Sequence, residues 1–241
     1  MASGRGLRPS LALTVVGVAM LAAVCFPLAA ARAIEAFGPR AAGAAVLALG
    51  LASLALSRRT ERAEPTSTTA STGRWLRVLP LALPALSVAS GDERFLRLVP
   101  AAIEAVLCSL FLTSLRGSSS ILQQAALLLE PYAPDFIGPY CRKATVAFAL
   151  LFVAQAVALA LVAVKAPGAD WAITSSLLVW LPTLAFTALE FLVRKAWFRH
   201  YGGAPWDRLL RSMLPPEHTA RGRRSLDYIR KKRAELGMPP P

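Results

Sequence analysis

Long apolar runs bounded by single cations set the pattern of this chain. Leu11–Ala31 lies between Arg8 and Arg32, and Ala41–Ser57 between Arg40 and the pair Arg58-Arg59. Phe95–Leu115 follows, with Arg97 near its start. Ala144–Val164 is bracketed by Lys143 and Lys165, and Trp171–Val193 ends at Arg194. These runs hold 17 to 23 residues. A helix needs roughly 20 apolar residues to cross a hydrocarbon core of about 30 Å, so each is expected to be a transmembrane helix. Arg97 is expected to snorkel to the interface. Val78–Ser90 is a shorter candidate, 13 residues, or 16 counted from Trp75. Sixteen helical residues reach only about 24 Å, and Pro80 and Pro84 would disturb the helix.

Charge settles the parity. Cations near span ends favour the cytoplasmic side. From Arg194 onward there are 12 Lys and Arg against 4 Asp and Glu, and Arg5 and Arg8 sit at the other terminus. Both ends are therefore expected inside, which requires an even number of crossings and makes the proline-bearing segment the third of six. Of 27 Lys and Arg, only Arg32, Arg40, Arg94, Arg97 and Lys165 then fall outside, leaving 22 inside. The expected fold is all-α: a polytopic transmembrane helical bundle of six spans with a basic cytoplasmic C-terminal tail. It divides into an N-terminal hairpin (1–57), a flexible linker (58–74), a four-span domain (75–194) and the tail (195–241). The first run, with Ala29-Ala30-Ala31 or Ala31-Arg32-Ala33 after it, also has the look of a signal peptide, though its apolar stretch is longer than the usual 7–15 residues.

Composition agrees. The 241 residues are 55% hydrophobic and 17% charged, with a mean hydropathy of +0.50. A soluble domain has about 25% charged residues. The net charge of +13 would suit nucleic acid, but no helix-turn-helix, zinc finger or RNA-binding motif is present, and no nucleic acid is expected. Three separated cysteines make neither a disulfide framework nor a metal cluster. Cys25 and Cys108 read as fillers inside helices, and Cys141 as a thiol open to palmitoylation or reaction. No His-Glu-x-x-His, Gly-x-Ser-x-Gly or phosphate-binding loop occurs, so no catalytic residue, metal or cofactor is expected.

Several polar residues remain as candidates. Glu104 lies near the middle of the fourth span, where a charge costs about 2.5–3.5 kcal/mol and marks a functional hypothesis. Gln155 in the fifth span is its natural hydrogen-bonding partner. Glu190 stands four residues before Arg194, the spacing of an ion pair on one helix face. The segment 116–143 contains three serines and then ILQQAALLLE, expected as a surface helix over 119–130 that ends at Pro131 and Pro134. Tyr140, Arg142 and Lys143 follow as an interfacial cluster. In the tail, 225–237 is expected to be a helix capped by Ser225 and closed by Gly237. Its Arg230, Lys231, Lys232 and Arg233 should attract anionic lipid headgroups.

The stretch Leu98–Trp197 resembles a family. Ser114-Leu115, the segment Ile121–Phe136, then Tyr140, Arg142, Lys143 and Thr145 follow the pattern of small inner-membrane proteins encoded in bacterial aryl polyene (xanthomonadin-type) clusters. Trp171 and the Glu190, Leu192, Val193, Arg194 ending fit it, as do Pro27 and Phe37-Gly38-Pro39-Arg40. The sequence departs from the family at Val99-Pro100, Gln123-Gln124 and Gln155, and its tail is longer. The resemblance implies a non-catalytic, multi-pass accessory protein of the bacterial inner membrane. It would assist synthesis, anchoring or export of a lipid-linked polyene, with pathway enzymes or an acyl carrier protein as partners. The alternatives are a small transporter or flippase working through Glu104, and a membrane-bound acyl or lipid transferase.

Overall fold

A computed structural model describes residues 9–63, 72–129, 135–166, 168–199, 201, 205–235 and 237. Every regular element among them is helical. They are α1 (Pro9–Ala63), α2 (Thr72–Ser90), α3 (Arg94–Arg97), α4 (Val99–Ser114), α5 (Ile121–Leu129), α6 (Gly138–Lys165), α7 (Gly168–Phe198), α8 (Pro205–Met213) and α9 (Ala220–Glu235). Two single 3-10 turns, Asp135–Ile137 and Pro216–His218, join them. Arg5 and Arg8, the linker centre at 64–71, residues 130–134 and the Arg233 side chain lie outside the described residues.

Four stretches are long and apolar enough to cross a membrane: Cys25–Ala55, Arg94–Ser114, Gly138–Lys165 and Gly168–Phe198. The chain is a membrane protein on this ground. Their packing agrees with an apolar solvent. On α6, Leu150, Val153, Val157, Leu161 and Val164 are exposed along one face, as are Ile173, Leu177, Leu181 and Leu184 on α7. Such continuous apolar stripes on an outer surface suit lipid.

The element boundaries differ from the expectation in instructive ways. The first two runs belong to one helical stretch, α1, broken at Gly38 (φ 78°, ψ 165°) into arms 9–37 and 39–63. Glycine adopts this left-handed backbone at little cost. The linker is shorter than read, because α1 runs on to Ala63 and α2 starts at Thr72. The proline-bearing segment is one continuous helix of 19 residues, about 28 Å long. Of it, Pro80–Ser90 forms the apolar part. Close packing holds it: a Cβ on Gly43 would lie 3.2 Å from the Pro84 carbonyl oxygen, and one on Gly50 would strike Leu81. Glycines let the backbones approach.

The chain divides into two compact units. The first comprises Met1–Val106 and Phe152–Leu181, the second Leu107–Leu151 and Pro182–Pro241. In the first unit, three chain reversals meet. Ser87 Oγ donates to the Pro39 carbonyl at 3.3 Å, joining the Gly38 break to the end of α2. Gly91 closes α2 in the left-handed conformation, and its amide donates to Ser87. Arg97 Nη1 donates to the Ala166 carbonyl at 3.0 Å, joining α3 to the α6–α7 turn, and Arg97 also pairs with Glu93 at 2.5 Å. Beneath these turns Ala30, Ala31, Ala163, Trp171 and Ala172 form a buried cluster, with Leu98 packed on it.

The second unit is built around Ala126, Ile137, Cys141 and Phe198. The helix expected over 119–130 is α5, which starts at Ile121: Ser120 caps it, its Oγ accepting the Gln123 amide at 3.4 Å. The tail folds as helices too. Lys195 Nζ pairs with Asp207 Oδ1 at 3.1 Å, both side chains 3% exposed, tying α7 to α8. Tyr201 donates its hydroxyl to the Leu214 carbonyl at 2.7 Å. Burial pushes the Tyr201 phenol above its ordinary pKa. Helix α9 begins at Ala220, capped by Thr219, whose Oγ1 accepts the Gly222 amide at 3.1 Å. Ser225 is therefore not a cap. It is fully buried inside the helix and donates to the Phe198 carbonyl at 2.8 Å. That carbonyl sits at the end of α7, where helical carbonyls lack partners of their own.

Candidate functional site

Glu104 is the natural starting point. Within 11–31, 41–57, 78–90, 99–114, 144–164 and 171–189 it is the only Asp, Glu, Lys, Arg or His. It is 2% exposed, and its Oε2 makes no hydrogen bond among the described residues. Ala101 and Glu104, both buried, stand three residues apart on one stripe of α4. Glu104 is therefore turned inward.

Gln155 reaches across to α7. Its Nε2 donates to the Leu178 carbonyl at 2.7 Å and to the Val179 carbonyl at 3.1 Å. The cause is Pro182, inside α7. Proline has no N–H, and its ring crowds the carbonyl four residues back. Leu178 is that residue. Within a membrane, a carbonyl so released needs a partner, and Gln155 is the partner. Three further polar atoms of the same unit, Trp171 Nε1, Ser175 Oγ and Trp180 Nε1, are buried without a hydrogen bond among the described residues.

In the second unit, Glu190 Oε1 and Arg194 Nε lie 3.1 Å apart, the intrahelical ion pair that the spacing predicts. Tyr140 donates its hydroxyl to the Glu190 carbonyl at 3.4 Å and packs edge-on against Phe198. Arg142, expected in an interfacial cluster, donates to the carbonyls of Gly117 and Leu115. It closes the C-terminus of α4, where cations and donors are favourable. Lys143 is exposed. Cys141 is 1% exposed, which removes it from ready acylation or oxidation. Cys108 is buried as a filler should be, whereas Cys25 is exposed.

Helix α9 presents the basic cluster. Arg230 and Lys232 pair loosely with Asp227 and Glu235, at 4.0 Å and 3.4 Å on the surface. Beside Lys231 runs a feature with no sequence signal, an open groove of about 670 Å³ lined by Phe136, Pro139, Arg224, Asp227, Tyr228 and Lys231. The Arg224 guanidinium lies 4.6 Å from the centre of the Phe136 ring, and Tyr228 meets that ring edge-on. The groove therefore combines aromatic walls with two cations and one carboxylate, Asp227. Among the described residues no group of three His, Cys, Asp or Glu is placed to hold a metal ion. No family model, curated protein or solved structure matches the chain.

Proposed function

We propose that this protein is a non-catalytic accessory component of the bacterial inner membrane that holds a lipid-linked aryl polyene, or a related acyl product, during its synthesis, anchoring or export. The groove beside α9 carries the reading. Its aromatic walls suit an apolar chain, and Arg224 and Lys231 suit the anionic head of such an amphiphile. Aromatic faces and cations are the side chains that proteins place at the lipid–water boundary. The resemblance of Leu98–Trp197 to proteins of aryl polyene clusters supplies the product class.

The topology belongs to the same proposal: six crossings, both termini in the cytoplasm. Two features support it. The chain reversals at 38, 91–97 and 166–168 meet in one unit, as the first, third and fifth connections of an up-and-down bundle do. The distribution of cations, 22 of 27 on the inner side in this arrangement, follows the positive-inside rule. Anionic headgroups would then meet Arg230, Lys231, Lys232 and Arg233 on the cytoplasmic face, and a pathway enzyme or acyl carrier protein would approach there.

The test is the double substitution Arg224→Gln with Lys231→Gln, with the membrane level of the protein monitored. Output of membrane-bound polyene should fall, while Lys143→Gln leaves it unchanged. Unaltered output from the groove variant contradicts the proposal. A transporter or flippase is the second reading, and the buried Glu104 is the observation that favours it.

A further inference from the structure

Helix α8 has an apolar face that the protein covers only in part. Leu209, Leu210 and Met213 lie on one side of it at helical spacing, and Arg208, Arg211 and Ser212 on the other. Leu210 is half-buried. Leu209 and Met213, four residues apart on one stripe, are 65% and 70% exposed. Among the described residues beyond α7, these two are the large hydrophobics left exposed. Arg208 and Arg211 are exposed as well. Asp207, the one acidic residue of the helix, is buried against Lys195, so the outer surface of α8 is apolar on one side and cationic on the other.

Contacts within the second unit fix the level at which this surface lies. Both ends of α8 are tied to the last turns of α7 and the residues just after it. At its start, Asp207 meets Lys195 at 3.1 Å. Past its end, the Leu214 carbonyl accepts the Tyr201 hydroxyl at 2.7 Å, and the Pro215 carbonyl accepts Arg199 Nη1. The same part of α7 is where its apolar run finishes. Leu189, Val193 and Trp197 carry its exposed stripe onward at four-residue spacing, and Arg194, Lys195 and Arg199 stand among the last of them. An exposed Trp beside cations marks a membrane–water boundary. Arg221, at the start of α9, lies 4.1 Å from the centre of the Trp197 ring, so the tail returns to that level. Helix α8 is thus held at the boundary by both ends, and a large apolar side chain left bare there meets lipid.

We propose that α8 is an interfacial helix that lies along the bilayer surface beside α7, with Leu209 and Met213 sunk between the lipid headgroups and Arg208 and Arg211 on its water side. The occupant of the bare face is the bilayer itself. Helices with one apolar face, one basic face and little overall hydrophobicity bind membranes in this way. The end of α7, to which α8 is tied, already turns an exposed apolar stripe to lipid. The inference needs only that α7 ends at the membrane boundary. It depends neither on the number of crossings nor on what the α9 groove holds.

Nitroxide labels on single cysteines, in a background lacking Cys25, Cys108 and Cys141, test it with the protein in vesicles of phosphatidylcholine and phosphatidylglycerol. Labels at Leu209→Cys and Met213→Cys should relax several-fold more with oxygen, which concentrates in lipid, than with a water-soluble nickel chelate. Labels at Ser212→Cys and Glu217→Cys should show the reverse. Equal access of the chelate to all four sites means a helix lying in water and overturns the proposal. Shielding of 209 and 213 from both reagents means a protein occupant, a second copy or another chain, and overturns it too. The unsubstituted chain gives an independent reading. A phospholipid with a photoactivated diazirine in its acyl chain should leave adducts on Leu209 and Met213, and adducts confined to the membrane-spanning helices contradict the proposal.

Discussion

Lys195 and Asp207 show how single residues hold the tail to the membrane helices. Each is 3% exposed, and they meet at 3.1 Å with the Phe191 and Tyr201 rings 5.6 and 5.8 Å from the ammonium. Removing one partner of a buried pair leaves the other charge uncompensated, at a cost of about 3–5 kcal/mol. Asp207→Asn should therefore lower the thermal stability of the detergent-solubilised protein strongly. Lys195→Met combined with Asp207→Leu should recover most of the loss, because an apolar pair of similar size is tolerated there. An unchanged melting temperature in Asp207→Asn would mean that the pair contributes nothing. This contact was not legible in the sequence, since its members stand twelve positions apart on two different helices. Glu190 and Arg194 were legible, because helix geometry alone brings positions four apart together. Arg142 shows the limit of reading a side chain by its neighbours. It stands among interfacial residues, but its donors go to carbonyls at 115 and 117.

At the scale of elements, the apolar runs named the helices because membrane burial demands length and little else. The exceptions arise where packing overrides a local signal. Helix α2 persists through Pro80 and Pro84 against the glycines of α1. Ser225 has the chemistry of a cap, yet Thr219 caps α9 six residues before it. The clearest case is the Gln155 clamp between α6 and α7. Gln155→Leu should destabilise the hairpin by about 1 kcal/mol, the usual scale for hydrogen bonds between membrane helices. Pro182→Ala restores an N–H four residues after Leu178, so in that background the cost of Gln155→Leu should shrink. A double-mutant cycle by reversible unfolding measures it, and additive losses would show that Gln155 does not serve the proline break. Neither the clamp nor the groove at Phe136 and Tyr228 could be read from spacing, as each joins segments distant in the chain.

For the whole molecule, the greasy composition and the positive balance are two sides of one arrangement. Apolar stripes on α6 and α7 face outward, Glu104 is buried, and the cations collect at the ends of the runs. The proposed groove for an anionic amphiphile, approached by a cytoplasmic partner, requires that the tail face the cytoplasm. Topology is therefore the claim on which that proposal rests. Single cysteines in a background lacking Cys25, Cys108 and Cys141, labelled in intact cells with a membrane-impermeant thiol reagent, test it most directly. Ser90→Cys beside the turns should be labelled from outside, whereas Ser118→Cys and Ser212→Cys should react only after the membrane is opened. Labelling of Ser212→Cys in intact cells would contradict the six-crossing account.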